Sequence, residues 1–214
     1  MPLAFRLGLI ICAFLHVNSL VPMSQDYHSY VYQGIYEFKQ QKFDKSVASF
    51  DKAAKIKPDM IPYLWQRGLA YYYHDQFENC AKQFEVDVSV NPFDTEEAIW
   101  DVLCKAELLG GYDKAKDQLI NIENERRLVM RVVYNLFDNK ASVADLERIS
   151  GNDKDSSVFF YSRLYLSLYS FACGDKAASQ KYITEAISSK YCVENDRDLM
   201  TSVARAQYAK LVTL

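Results

Sequence analysis

One spacing constrains this chain more than any other. From Tyr27 to Asp94 it repeats itself with a period of 34 residues. Counted from Tyr27 and again from Ile61, Gly34 and Gly68 fall at position eight, Phe38 and Tyr72 at twelve, and Phe43 and Phe77 at seventeen. Ser46 and Cys80 follow at twenty, Phe50 and Phe84 at twenty-four, and Pro58 and Pro92 at thirty-two. Two adjacent units in phase, without a gap, carry far more weight than one. Each unit reads as two antiparallel helices. The glycine lets the helices approach, and Ser46 or Cys80 is the small partner across that contact. Phe50 and Phe84 are expected to fill the space between one unit and the next. The proline stops the second helix.

This pattern is similar to that of the tetratricopeptide (TPR) repeat. The resemblance implies an all-α, TPR-type solenoid of antiparallel helix pairs. Composition agrees with the helical part: only 7 Gly and 5 Pro break a 214-residue chain, and no sustained apolar/polar alternation marks a strand. The expected domain runs over 27–214, with repeats at about 27–60, 61–94 and 95–124. In the third, Thr95 is the expected N-cap, and Tyr112, Ala115, Leu119 and Ile122 are assigned to the second helix. A helical insert that departs from the repeat follows at 125–156, with Ser142 to Asp145 as a capping-box start. A degenerate repeat spans 157–190. A capping helix at 196–212 carries a Leu199, Val203, Ala206, Lys210 stripe, suited to covering an open solenoid end.

The first nineteen residues read as a secretory signal peptide. Arg6 supplies the positive region, Leu7 to Val17 the apolar run, and Val17-Asn18-Ser19 the cleavage site. The run is too short to span a membrane, which takes ~20 residues. The expected location is therefore secreted or lumenal, the periplasm in a bacterium. Cys80, Cys104, Cys173 and Cys192 remain after cleavage. They allow three pairings, or each is a small buried apolar residue.

The formal charge of −3 gives no basic footprint for nucleic acid. His28 and His74 have no ligand-spaced partner, and no Cys-x-x-Cys exists, so no metal or other cofactor is expected. No phosphate loop or nucleophile elbow is present, and no catalytic residue is assigned. The concave face is the better candidate. In TPR units the first helix offers positions two, five, nine, twelve and thirteen to that face. The assigned partner-binding residues are His28, Val31, Ile35 and Phe38 from the first unit. Trp65, Leu69, Tyr72 and Tyr73 come from the second, and Ile99 and Leu103 from the third. An apolar, aromatic concavity of this kind marks a peptide or protein site unless the helices of 124–156 or the C-terminal helix fold back and fill it. The Lys and Asn of a chaperone carboxylate clamp are absent, because Val31, Ile35, Trp65 and Leu69 hold those slots. Arg67, where Leu is usual, is expected in a buried ion pair with Asp101 or Glu85.

Several stretches resemble a narrower group, the bacterial cell-envelope TPR lipoproteins that act as adaptors for peptidoglycan hydrolases and a periplasmic protease. They are Gln66-Arg67-Gly68 running into Tyr71-Tyr72, Asn91-Pro92-Phe93 with Trp100, Val133-Tyr134-Asn135-Leu136-Phe137, and Phe160-Tyr161 before Tyr165-Leu166-Ser167-Leu168. The chain departs from the group at Cys12, which follows Ile10-Ile11 and lacks the small residue that lipid attachment needs. The resemblance implies adaptor work and dimer formation. The functional expectation is a non-enzymatic scaffold holding a protein or peptide partner. The alternative is a structural subunit that self-associates through the same surface.

Overall fold

The structure, a computed structural model, describes residues 26–213. The expected signal peptide lies outside them. Among the described residues there are α-helices and short 3-10 turns and no strands. The helices are α1 (Tyr27–Lys39), α2 (Phe43–Ile56), α3 (Trp65–Tyr73), α4 (Phe77–Val90), α5 (Thr95–Leu109), α6 (Tyr112–Ala115), α7 (Leu128–Phe137), α8 (Val143–Ser150), α9 (Ser157–Ala172), α10 (Lys176–Ile187), α11 (Lys190–Glu194) and α12 (Leu199–Thr213). The chain is all-α, and neighbours in sequence pack on one another: α1 on α2, α3 on α4, α4 on α5, and α9 on α10.

The 34-residue period has a backbone counterpart. Gln41 and Asp75, one period apart, both turn the chain with φ of 55°. Each is a non-glycine residue in the left-handed region, held by the tight link between paired helices. In the first pair the Ser46 hydroxyl donates to the Gly34 carbonyl at 2.8 Å. Of Phe50 and Phe84, the second stacks on Trp100 of α5, in the next unit, with ring centres 6.3 Å apart. Each ring lies on the glycine of its own pair, where a Cβ built on Gly34 or Gly68 would meet it at 2.9 Å or 2.6 Å. A fully buried side chain of this kind stabilises the fold by about 1.5–3 kcal/mol.

Cys80 has a second role. It is joined to Cys104 of α5 as a disulfide, with Cα atoms 5.9 Å apart, inside the range that such a bridge requires. Cys192 is buried and free, and Cys173 is exposed.

Arg67 does not pair with Asp101 or Glu85. Its guanidinium donates to Asp51 Oδ1 at 2.6 and 2.8 Å and to Gln83 Oε1 at 3.0 Å. It points back at α2 and α4, while Lys105 takes both Asp101 and Glu85.

The third unit departs most from expectation. Asp94, not Thr95, caps α5, accepting from the amides of Glu96 and Glu97. The second helix ends at Ala115, with a 3-10 turn over Lys116–Gln118, and residues 119–127 are not helical. The Tyr134 hydroxyl of α7 explains the change. It accepts from the Ile122 amide and donates to the Ile120 carbonyl, both at 3.0 Å. It thereby supplies partners that a helix would otherwise have provided. Farther on, Ser142 and Asp145 form the capping box expected at the start of α8.

The last helix is not a one-sided end cap. Leu199 to Ala204, Ala206 and Gln207 are all buried. α12 packs on α10 and also reaches α1 and α3. Its run of small residues, Thr201, Ser202, Val203 and Ala204, lets neighbouring helices come close on several sides.

Candidate functional site

α12 occupies much of the surface expected to be a groove. Phe38, Leu69, Tyr72, Tyr73, Ile99 and Leu103 are all buried in the main core. The Tyr73 hydroxyl donates toward the Val203 carbonyl and Gln207 Oε1, both at 3.4 Å. Lys210 Nζ sits 4.9 Å from the Tyr72 ring centre and 5.0 Å from that of Phe77, and binds Glu107 at 3.1 Å. Phe38 and Tyr73 meet edge to face, as do Tyr72 and Trp100. For these six residues the reading as an open groove is corrected: all are buried in the core, Tyr72 and Tyr73 against α12 and Ile99 and Leu103 on α5, which packs on α4, α7 and α9. Val31, Ile35 and Trp65 are half-buried and His28 is exposed, so these four retain accessible surface.

Trp65 leads to a cleft of about 300 Å³ between α3, α5, α9 and the start of α12. Its walls are of two kinds. Trp65, Phe84, Trp100 and Tyr161 supply aromatic surface. Asp94, Glu96, Glu97 and Asp198 supply carboxyl groups, and no lining residue is basic. The volume is at the lower end of the ~300–1,000 Å³ of ligand pockets. Trp65, Asp94, Glu96, Tyr161 and Asp198 are half-buried, so the cleft opens at their edge.

Three of the four carboxyl groups are spoken for. Asp94 caps α5. Glu96 accepts from Tyr165 at 2.9 Å and from Arg127 at 2.8 Å. Burial still raises its pKa, against the pull of both donors. Asp198 accepts from the hydroxyls of Tyr161 and Tyr191 at 2.8 and 3.0 Å, and from the Met200 amide at 2.9 Å. Burial and the nearby Asp198 push the Tyr161 phenol upward.

Glu97 differs. It is 8 % exposed, and its Oε2 has no hydrogen-bond partner in the chain. Burial first, then the charges of Asp94, Asp87 and Glu96, push its pKa up to about 8. Trp100, 2 % exposed, also lines the cleft with its indole N–H unpartnered. Behind Glu97, burial pushes Asp87 up to about 7, opposed by the Gln83 hydrogen bond and Arg67.

Of the cleft residues only Trp65 was assigned to a site from sequence. Asp198 falls inside the capping helix expected at 196–212, whereas α12 begins at Leu199. The legible signal was Trp100 one turn after Glu96-Glu97, which puts an indole and a carboxyl on one helix face. Among the described residues no group of three or more His, Cys, Asp and Glu side chains is arranged to hold a metal, and no helix is long and apolar enough to cross a membrane. No protein-family model matches the chain, and no curated protein matches it.

Proposed function

We propose that this chain is a non-enzymatic, TPR-type helical scaffold that holds a segment of a partner protein against its concave aromatic face. The carrying observation is that this face already holds a helix: α12 lies on α1 and α3 through Tyr73 and Lys210. Its chemistry is thus suited to a helical or extended guest, and the surface beside α12 that remains accessible, at His28, Val31, Ile35 and Trp65, is the part left to a partner. Two glycine–phenylalanine contacts in 34-residue phase support the TPR reading. The Cys80–Cys104 disulfide supports an oxidising compartment, in keeping with a secretory leader.

Photo-crosslinking from a benzophenone residue at position 35, in the native compartment, tests this. A discrete crosslinked partner that disappears on Trp65→Ala is the expected result. The second reading, a self-associating structural subunit, draws on Tyr32 and Tyr36, one turn apart on α1 and 72 % and 57 % exposed. Crosslinks solely to a second copy of the chain, with a dimer by light scattering, would select that reading and sink the first.

A further inference from the structure

We infer that the cleft between Trp65, Trp100, Tyr161 and Glu97 is a subsite for the basic side chain of a bound peptide, a lysine ammonium or an arginine guanidinium. The inference rests on the scaffold reading above and gives it a ligand chemistry.

Four observations converge. First, the wall is aromatic on several sides. A cation within ~6 Å of a ring face is attracted by the ring's electrons, most strongly by Trp and where water is excluded. Second, four carboxyl groups line the cleft with no basic residue among the lining, and only Glu96 has a cationic partner from outside it. Arg127 reaches Glu96 and Glu125 only, and it is not one of the lining residues. Third, Glu97 is more than nine-tenths buried with an unpartnered oxygen. Such a group costs free energy unless something hydrogen-bonds to it. An ammonium or guanidinium supplies both the donor and the opposing charge. Fourth, the Trp100 indole N–H is a buried donor with no acceptor.

The titration of Glu97 agrees with this arrangement. Burial and the carboxylates of Asp94, Asp87 and Glu96 disfavour its charge. A cation beside it offsets the electrostatic part, so binding draws Glu97 toward its ionised form.

The chain contains two tryptophans, and both line this cleft, so intrinsic fluorescence reports on it directly. The test titrates the folded protein with N-acetyl-lysine amide, N-acetyl-arginine amide and N-acetyl-norleucine amide, the last a neutral match in length. The expected result is a saturable change with the two basic probes and none with norleucine. Glu97→Gln, which keeps the shape, should weaken the basic probes roughly tenfold or more, the scale of losing one charged hydrogen-bond partner. Trp65→Leu is a second variant that removes one aromatic wall, and circular dichroism confirms that each variant is folded. Equal binding of norleucine amide, no saturable change with any probe, or unaltered affinity in Glu97→Gln would each overturn the inference. Failure here is distinguishable from failure of the scaffold reading. A partner crosslink that depends on Trp65 but ignores Glu97→Gln removes the cation subsite alone. Probe binding that depends on Glu97, with no partner crosslink, keeps the subsite and removes the scaffold.

Discussion

Gly34 and Gly68 occupy the same place in successive helix pairs, yet a methyl group meets different resistance at each. In an open helix, Gly→Ala stabilises by about 1 kcal/mol through propensity. Here the added carbon falls 2.9 Å from the Phe50 ring at Gly34 and 2.6 Å from the Phe84 ring at Gly68. Neither ring can swing aside easily, because Phe50 and Phe84 are almost fully buried. Overpacking costs typically 1–3 kcal/mol, which outweighs the propensity gain. Gly68→Ala should therefore destabilise the protein by roughly 1–2 kcal/mol, and more than Gly34→Ala. A urea midpoint that rises in Gly68→Ala would contradict the contact. The carboxyl groups near the cleft make a prediction of opposite character. Glu97 and Asp87 move from ordinary values of 4.5 and 3.8 up to about 8 and about 7. Between about pH 4 and 8 the native state thus holds more protons than the unfolded chain, and stability falls as pH rises. Glu125 acts in the other direction. Its pKa is lowered to about 2, chiefly by hydrogen bonds from Arg127 that outweigh burial, so its contribution is lost as pH falls below 4.5. The melting temperature should decline from pH 5 to pH 8, and Glu97→Gln should flatten that decline. An unchanged slope in the variant would show that Glu97 is ionised throughout.

At the scale of elements, what the sequence discloses is what depends on nearby residues. The Ser142–Asp145 box and the matched turns at Gln41 and Asp75 are local, and both are present in the structure. What it conceals depends on distant partners. Residues 119–127 have helical spacing at their apolar positions, but Tyr134, twelve residues beyond Ile122, captures their backbone. Gln207 reads as a polar surface residue but is buried, accepting from Tyr73 across 134 positions. Glu97 sits in the first turn of α5, yet it is buried with an unpartnered oxygen in a cleft that α5 shares with α3, α9 and the start of α12. The α4–α5 link belongs to the same class. Cys80 fits the small position of its helix whether or not it is bonded, and nothing local reveals that Cys104 lies opposite. The bridge closes a loop with a sequence separation of 24, and on chain-entropy grounds a loop of that size is worth about 3 kcal/mol. Reduction, or Cys80→Ala with Cys104→Ala, should lower the melting temperature by several degrees. Thiol titration of residues 26–214, unreduced and unfolded, should find Cys173 and Cys192 alone. Four reactive thiols would remove the bridge.

Across the whole molecule, α12 ties the first helices to the last. It packs on α10 and touches α1 and α3, and Lys39 at the end of α1 reaches Asp196 just before it. A helix that touches both the first helices and the last restrains how far they can move apart, and on the proposed scaffold reading it governs how much of the aromatic face a partner can enter. The fastening is uneven along its length. The first half of α12 is buried among small side chains, whereas the second half relies on Lys210, which binds Glu107 and Asp75 and faces the rings of Tyr72, Phe77 and Phe171. Ion pairs at the protein edge contribute at most about 1 kcal/mol, and cation–π contacts about 0.5–2 kcal/mol. Lys210→Ala should thus cost about 1–3 kcal/mol of docking free energy, enough to favour local opening of α12 by roughly 5- to 150-fold. Hydrogen exchange followed peptide by peptide separates two outcomes. Faster exchange confined to 205–213 and the facing part of α3 means that α12 detaches as a unit and uncovers the Tyr72–Tyr73 wall, placing the aromatic face under the control of the chain's own end. A uniform acceleration from α1 to α12 means instead that the helix cannot leave without unfolding the rest, and that partners are confined to the accessible edge at His28, Val31, Ile35 and Trp65.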